Sequence, residues 1–200
     1  YTATLSDGSS LPSWLSFNTT TRTFSGTPLN GDVGAINVTV TATDSAEVAV
    51  SDTFSITVAN TNDIPTGVTL SATAFDENAA GATVGTLTTT DDDNIHGDTH
   101  TYTLSGSDAN SFEIVNDQLK LLDSLSANYE VKNSYSVTVT TADAAETTDS
   151  QEFSLGVNDI NEAPTLANAI ADQNNDEDAA FDFTIPADTF SDEDSNTKTM

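Results

Sequence analysis

Asp159-Ile160-Asn161-Glu162-Ala163-Pro164 follows the alternating apolar run Phe153, Leu155, Val157, and Asn60-Thr61-Asn62-Asp63-Ile64-Pro65 follows Phe54, Ile56, Val58 in the same way. Displacing the chain by 99 residues aligns 36–66 with 135–165 without a gap. Of these 31 positions 14 are identical, among them Asp44/Asp143, Asn62/Asn161 and Pro65/Pro164. Self-similarity at a fixed period marks a tandem array, so the two hexapeptides are read as joints between units of about 100 residues.

Outward from the joints, every segment carries strand and turn signals. Residues 1–65 open with Tyr1, Ala3, Leu5, turn at Asp7-Gly8, pass Trp14, Leu15, Phe17 and Phe24, and break at Gly26, Pro28 and Asn30-Gly31. Period-2 alternation then returns at Ile36, Val38, Val40 and again before the joint. Residues 66–164 hold a whole unit of about seven strands, including a hairpin that pairs Phe112/Ile114 with Leu119/Leu121 across Asn116-Asp117. Residues 165–200 begin the unit again, since Asp176-Glu177-Asp178-Ala179-Ala180 echoes Asp76-Glu77-Asn78-Ala79-Ala80. Thr, Ser and Val abound and no helical stripe appears, which predicts an all-β chain of antiparallel sandwiches.

The two partial units sum to about one period, and Lys198-Thr199-Met200 running into Tyr1-Thr2-Ala3 aligns with His100-Thr101-Tyr102-Thr103. The expectation is a chain cut within an array, whose residues 166–200 complete residues 1–65 of another molecule by strand exchange, giving a dimer or filament.

Four Lys and Arg stand against 32 Asp and Glu, a net charge of −28, so most carboxylates have no basic partner. They face water or bind cations. Such a surface repels nucleic acid and anionic membrane, and no apolar run is long enough to insert into a bilayer. Without cysteine there is no disulfide or thiolate site, which leaves an oxygen-liganded hard cation as the staple.

The carboxylates that recur by position are the candidates. They are Glu77 and Glu177 after the first strand, Asp91/Asp93 and Asp192/Asp194 after the second, Glu130 before the Tyr135 strand, Asp44 and Asp143 after the Val40 and Val139 strands, and the joints. Strand ends of a sandwich alternate between its two poles, which puts Glu77 and Glu130 at one and Asp91, Asp93 and Asp143 at the other. Calcium takes six to eight oxygens from carboxylates, amides, backbone carbonyls and water and tolerates irregular geometry. An Asn- and Asp-rich linker between acidic poles supplies them.

Glu77 with its neighbours Asp76 and Asn78, Asp91-Asp92-Asp93, Asn128-Tyr129-Glu130, Thr141-Ala142-Asp143 and the joint at 159–164 resemble, in order and spacing, the calcium motifs of the cadherin repeat across 66–164. Leu11-Pro12-Ser13-Trp14-Leu15-Ser16-Phe17 and Phe24-Ser25-Gly26-Thr27-Pro28 resemble the dystroglycan-type cadherin-like domain of large bacterial surface and secreted proteins. The resemblance implies tandem immunoglobulin-type Greek-key sandwiches. Residues 1–65 would be the C-terminal two-thirds of one cadherin-like domain, 66–164 a complete cadherin repeat, and 165–200 the first third of the next.

It also implies two ligand sets. The joint at 158–164 would draw on Glu77, Glu130, Asp159, Asn161, Glu162, Asp192 and Asp194, with Asp44 of a neighbouring copy in the last place. The joint at 60–65 would draw on Asn60, Asn62, Asp63, Asp91, Asp93 and Asp143, with Glu177 of a neighbouring copy. Asn60 stands in place of an acid and no counterpart of Glu130 precedes this joint, so it should bind fewer or weaker ions.

The implied function is a calcium-binding extracellular module of a bacterial-type cell-surface adhesin, a spacer with homophilic adhesion as an added role. The alternative is a carbohydrate-binding module for polysaccharide, which would need an exposed aromatic platform, whereas Trp14 reads as a core anchor. Asp91–Asp98 does not fit an EF-hand, because glycine falls at loop position seven and Tyr102 stands at position twelve. His96 and His100 read as incidental, and no nucleophile elbow or zinc motif suggests an enzyme.

Overall fold

A computed structural model of the chain describes residues 1–194. The expected continuation of Lys198-Thr199-Met200 into Tyr1 lies outside them. The fold is all-β. Contacts gather the chain into two compact units, one of 1–66 with 90–101 and 142–148, the other of 67–89, 102–141 and 149 onward.

In the first unit, β1 (Thr2–Leu5), β4 (Gly34–Thr43) and β5 (Ala49–Val58) form an antiparallel sheet in the order β1-β4-β5. β2 (Leu15–Asn18) and β3 (Thr23–Gly26) form a separate hairpin that pairs Phe17 with Phe24. Alternation puts Val38 fully inside, yet β5 leaves Val50 and Phe54 exposed. Among the described residues no strand flanks β5 on its outer edge. Trp14 is only half-buried, because it precedes β2 and Leu15 takes the interior position. Its carbonyl lies where a side chain on Gly26 would sit.

The second unit carries two facing sets of strands. One sheet runs β10 (Phe112–Val115), β11 (Gln118–Leu121), β8 (Thr83–Thr90), β6 (Gly67–Leu70), and the other β7 (Ala74–Asp76), β13 (Thr148–Asn158), β12 (Ser134–Ala142), β9 (Thr101–Ser105). The expected hairpin is present in register, Phe112 opposite Leu121 and Ile114 opposite Leu119, with Asn116 and Asp117 both at positive φ as a two-residue turn demands. The sequence suggested about seven strands, and β7 is the eighth. The chain leaves β6, crosses at 71–73, and pairs in parallel with β13 in the other sheet, so one strand's worth of sequence serves both. Leu119, Leu121, Val137, Val139 and Leu155 are fully buried, and Phe75, Phe112 and Tyr135 pack edge-on or tilted around them. Each such aliphatic side chain contributes about 1.5–3 kcal/mol by leaving water.

Beyond the second joint, β14 (Thr165–Leu166) pairs with β15 (Phe190–Ser191), and 167–189 are turns and irregular backbone with Phe181, Phe183 and Ile185 exposed.

Candidate cation-binding joints

The joint after β13 is built around Glu77, the residue that follows β7. Parallel pairing of β7 with the end of β13 sets Glu77 beside the linker, and its carboxylate holds two backbone donors, Ile160 N–H at 2.8 Å and Tyr129 N–H at 2.6 Å. Those bonds bring 128–130 against 159–162. Carboxylate oxygens of Glu77, Glu130 and Asp159 then lie within 4.8 Å of one another, as do those of Glu130, Glu162 and Asp194. Glu162 gives its N–H to Asp194 Oδ2 at 2.8 Å, and Asp194 N–H donates to Asp192 Oδ1 at 3.2 Å. Asn161 Nδ2 donates to the carbonyl of Glu162, and Asn78 Nδ2 donates to Glu162 Oε1.

The electrostatics of this ring are unfavourable as it stands. Partial desolvation, then the charges of Asp194 and Glu77, raise the Asp159 carboxyl above its ordinary value. Desolvation, then Glu77, Asp194 and Glu130, do the same to Glu162. Glu162 Oε2 and Asp194 Oδ1 are buried and accept no hydrogen bond. Buried oxygens of this kind cost free energy unless something positive meets them. Five carboxylates with unused lone pairs are oxygen donors of the type that hard divalent cations take.

The joint after β5 repeats part of this plan. Asp63 N–H donates to Asp93 Oδ2 at 2.6 Å, Asp93 N–H donates to Asp91 Oδ1 at 2.8 Å, and Asn62 Nδ2 donates to the carbonyl of Asp63. Asp143 is held differently. It accepts from Asn62 Nδ2 at 2.8 Å, from the Thr147 hydroxyl, and from the N–H groups of Ala145 and Thr147. The Asn62 amide and then the Thr147 hydroxyl lead in drawing its pKa down to about 2. Asp93 is buried with Oδ1 lacking a hydrogen bond.

Asp91 turns its Oδ2 away from this set, to His100 Nε2 at 3.2 Å, and Asp98 completes a group of three within 4.8 Å. Asp98 and His100 were not among the expected ligands. Asp98-Thr99-His100, two positions apart at a strand start, is the signal that could have found them. His96 lies elsewhere, its Nε2 2.8 Å from the carbonyl of Asn30.

Several expected residues are not drawn into either cluster. Asp44 uses Oδ1 to close its own turn with Ala46 and Val48 N–H, and it is exposed. Asn60 and Glu177 are exposed as well.

Residues 1–59 match the family described as "Putative Ig domain". No curated protein matches the sequence. Among solved structures, the protocadherin gammaB4 extracellular domain superposes with a TM-score of 0.58 at 20% identity, over 82% of this chain and 27% of that one. A protocadherin gammaB7 EC3-6 cis-dimer structure gives a TM-score of 0.52 at 23% identity, over 76% of this chain and 39% of that one. The chain thus spans well under half the length of either, and the likeness is one of fold: a cadherin-like, immunoglobulin-type arrangement of strands.

Proposed function

We propose that the chain is a non-enzymatic, calcium-binding module of an extracellular bacterial-type adhesin, in which calcium stiffens the joints and the array acts as spacer and homophilic adhesive surface. The observation that carries this is the ring of Glu77, Glu130, Asp159, Glu162 and Asp194, two of whose oxygens are buried without a donor. When bound, calcium supplies the positive charge that these oxygens lack. Glu77 positions the ring by holding Tyr129 and Ile160, and Asp194 ties the linker to the residues that follow. Asn161, Asp192 and the joint set Asn60, Asn62, Asp63, Asp91, Asp93 and Asp143 are further proposed ligands, the second set for fewer or weaker ions.

Residues 66–164 are read as the complete cadherin repeat, and 1–65 and 165–200 as parts of dystroglycan-type cadherin-like domains. The partial pieces are complementary by topology. β1-β4-β5 and β2-β3 correspond to β9-β12-β13 and β10-β11, whereas β14-β15 corresponds to the β6-β8 pair missing from the first unit. This favours self-association in which 165–200 of one copy completes 1–65 of another.

The test is a calcium titration of chelator-treated protein, followed by melting temperature and isothermal calorimetry. Saturable binding that raises the melting temperature and is weakened by Asp194→Asn supports the reading. Equal melting with and without calcium would sink it.

A further inference from the structure

We propose that Asp98 and His100, with the Asp91 oxygen that faces away from the joint, form a second cation site that shares Asp91 with the joint set and prefers a borderline transition ion, with Zn2+ as its probe, over calcium. The site does not rest on the calcium reading, because its distinguishing ligand is a nitrogen that calcium uses poorly.

The local sequence builds it in one reversal of the chain. After β8, Asp91 caps a 3-10 turn over Asp92–His96, with Oδ1 accepting Asp93 N–H. Gly97 ends that turn at φ 85°, a conformation glycine adopts without penalty, and its N–H returns to the carbonyl of Asn94. Asp98 N–H then meets the carbonyl of Asp93 at 3.4 Å, and His100 enters β9 facing Asp91. Three side chains from a ten-residue stretch converge.

Their geometry suits a small ion. His100 Nε2 is 3.2 Å from Asp91 Oδ2 and 3.9 Å from Asp98 Oδ2, and all three atoms lie within 4.8 Å of one another. Zinc–nitrogen and zinc–oxygen bonds near 2.1 Å place adjacent donors about 3.0–3.4 Å apart, a spacing the His100–Asp91 pair at 3.2 Å already has and the His100–Asp98 pair at 3.9 Å reaches by closing about half an ångström. The side chains are 8% exposed for His100, 0% for Asp91 and 12% for Asp98. Asp98 Oδ2 is itself buried and accepts no hydrogen bond, although it sits at the cluster. One hydrogen bond from His100 to Asp91 leaves that oxygen unexplained, and a shared cation satisfies both. Exposed Asn94, Ile95, His96 and Gly97 leave the loop open to solvent. Protein donors fill three positions and water the rest, an open set of one nitrogen and two oxygens.

The test is a Zn2+ titration of the full chain in saturating calcium, read by calorimetry and by the imidazole nitrogen resonances. The chain has only two histidines, so His96 and His100 are separable. The expected result is one equivalent of zinc that shifts the His100 ring and leaves His96 in place. Asp98→Asn and His100→Gln should each weaken binding at least about tenfold, while the calcium response of the melting temperature is unchanged. Repeating the titration without calcium separates this site from the joints. Zinc that shifts His96 or neither ring, or that binds Asp98→Asn as tightly as the native chain, overturns the proposal.

Discussion

The backbone N–H of Glu162 donates to Asp194 Oδ2 at 2.8 Å, across 32 residues of chain. Asp63 and Asp93 make the same bond at 2.6 Å in the earlier joint. In both places a linker amide is tied to the second acid of an Asp-Xaa-Asp triplet, and in both the first acid, Asp192 or Asp91, accepts the N–H of the second. The repeat therefore preserves a backbone mould for the carboxylates rather than the carboxylates alone.

Calcium removal should unlock that mould. A site occupied at about a hundredfold above its dissociation constant adds about 2.7 kcal/mol. For a chain of this length each kcal/mol moves the melting temperature by about 2–4 °C. Chelation should thus lower it by about 5–10 °C per tightly held ion, read by scanning calorimetry.

Glu77→Gln tests the positioning bonds. The amide can keep one acceptor for Ile160 or Tyr129 N–H but loses a charge from the ring. Calcium affinity should fall at least about tenfold, as when a group that orients ligands is altered. Isothermal calorimetry on native and variant protein measures it.

The pH dependence should differ with and without calcium. Asp159 and Glu162 have raised pKa values in the folded chain, so without metal they favour the fold most below their ordinary values of 3.8 and 4.5, and that contribution is lost as pH rises through the folded values. Metal-free melting temperature should therefore drop between about pH 4.5 and neutrality. In calcium the fall should be flattened or reversed, because the ion binds the deprotonated form. Asp143 acts oppositely. Its stabilisation is present above 3.8 and disappears as pH falls toward about 2, which sets the acid limit. Melts at stepped pH with calcium or chelator distinguish the two contributions.

Core and edge should respond unequally to truncation. Leu155 is fully buried, and Leu155→Ala should cost about 2–5 kcal/mol by chemical denaturation. Val50 is 72% exposed on β5, and Val50→Thr should change stability by no more than about 0.5 kcal/mol in the monomer. A larger loss for Val50→Thr at high protein concentration than at low would mark β5 as covered by another copy.

Gly26→Ala should destabilise the first unit. A Cβ there would lie 1.7 Å from the Trp14 carbonyl oxygen, and that atom is backbone with no rotamer to escape into. Loss of the near-ultraviolet signal of the single tryptophan at lower temperature is the measurement.

Much of this protein was legible in its residues alone. The 99-residue period, the alternation at Val137, Val139, Leu155 and Val157, and the turn at Asn116-Asp117 determine strands, hairpin register and fold class, because side chains two apart share a sheet face and few residues accept positive φ. The recurrence of acids at fixed places in the repeat likewise pointed to both joints.

Tertiary structure decided which oxygens meet. β7 was not legible, since Ala74–Asp76 is too short to show a period and gains its place only by pairing with β13. That pairing puts Glu77 between Tyr129 and Ile160, partners 52 and 83 residues away, and no local pattern carries such a distance. His100 looked incidental for the same reason. Its neighbour Asp91 lies nine residues off, and only the left-handed turn at Gly97 folds the loop back to join them.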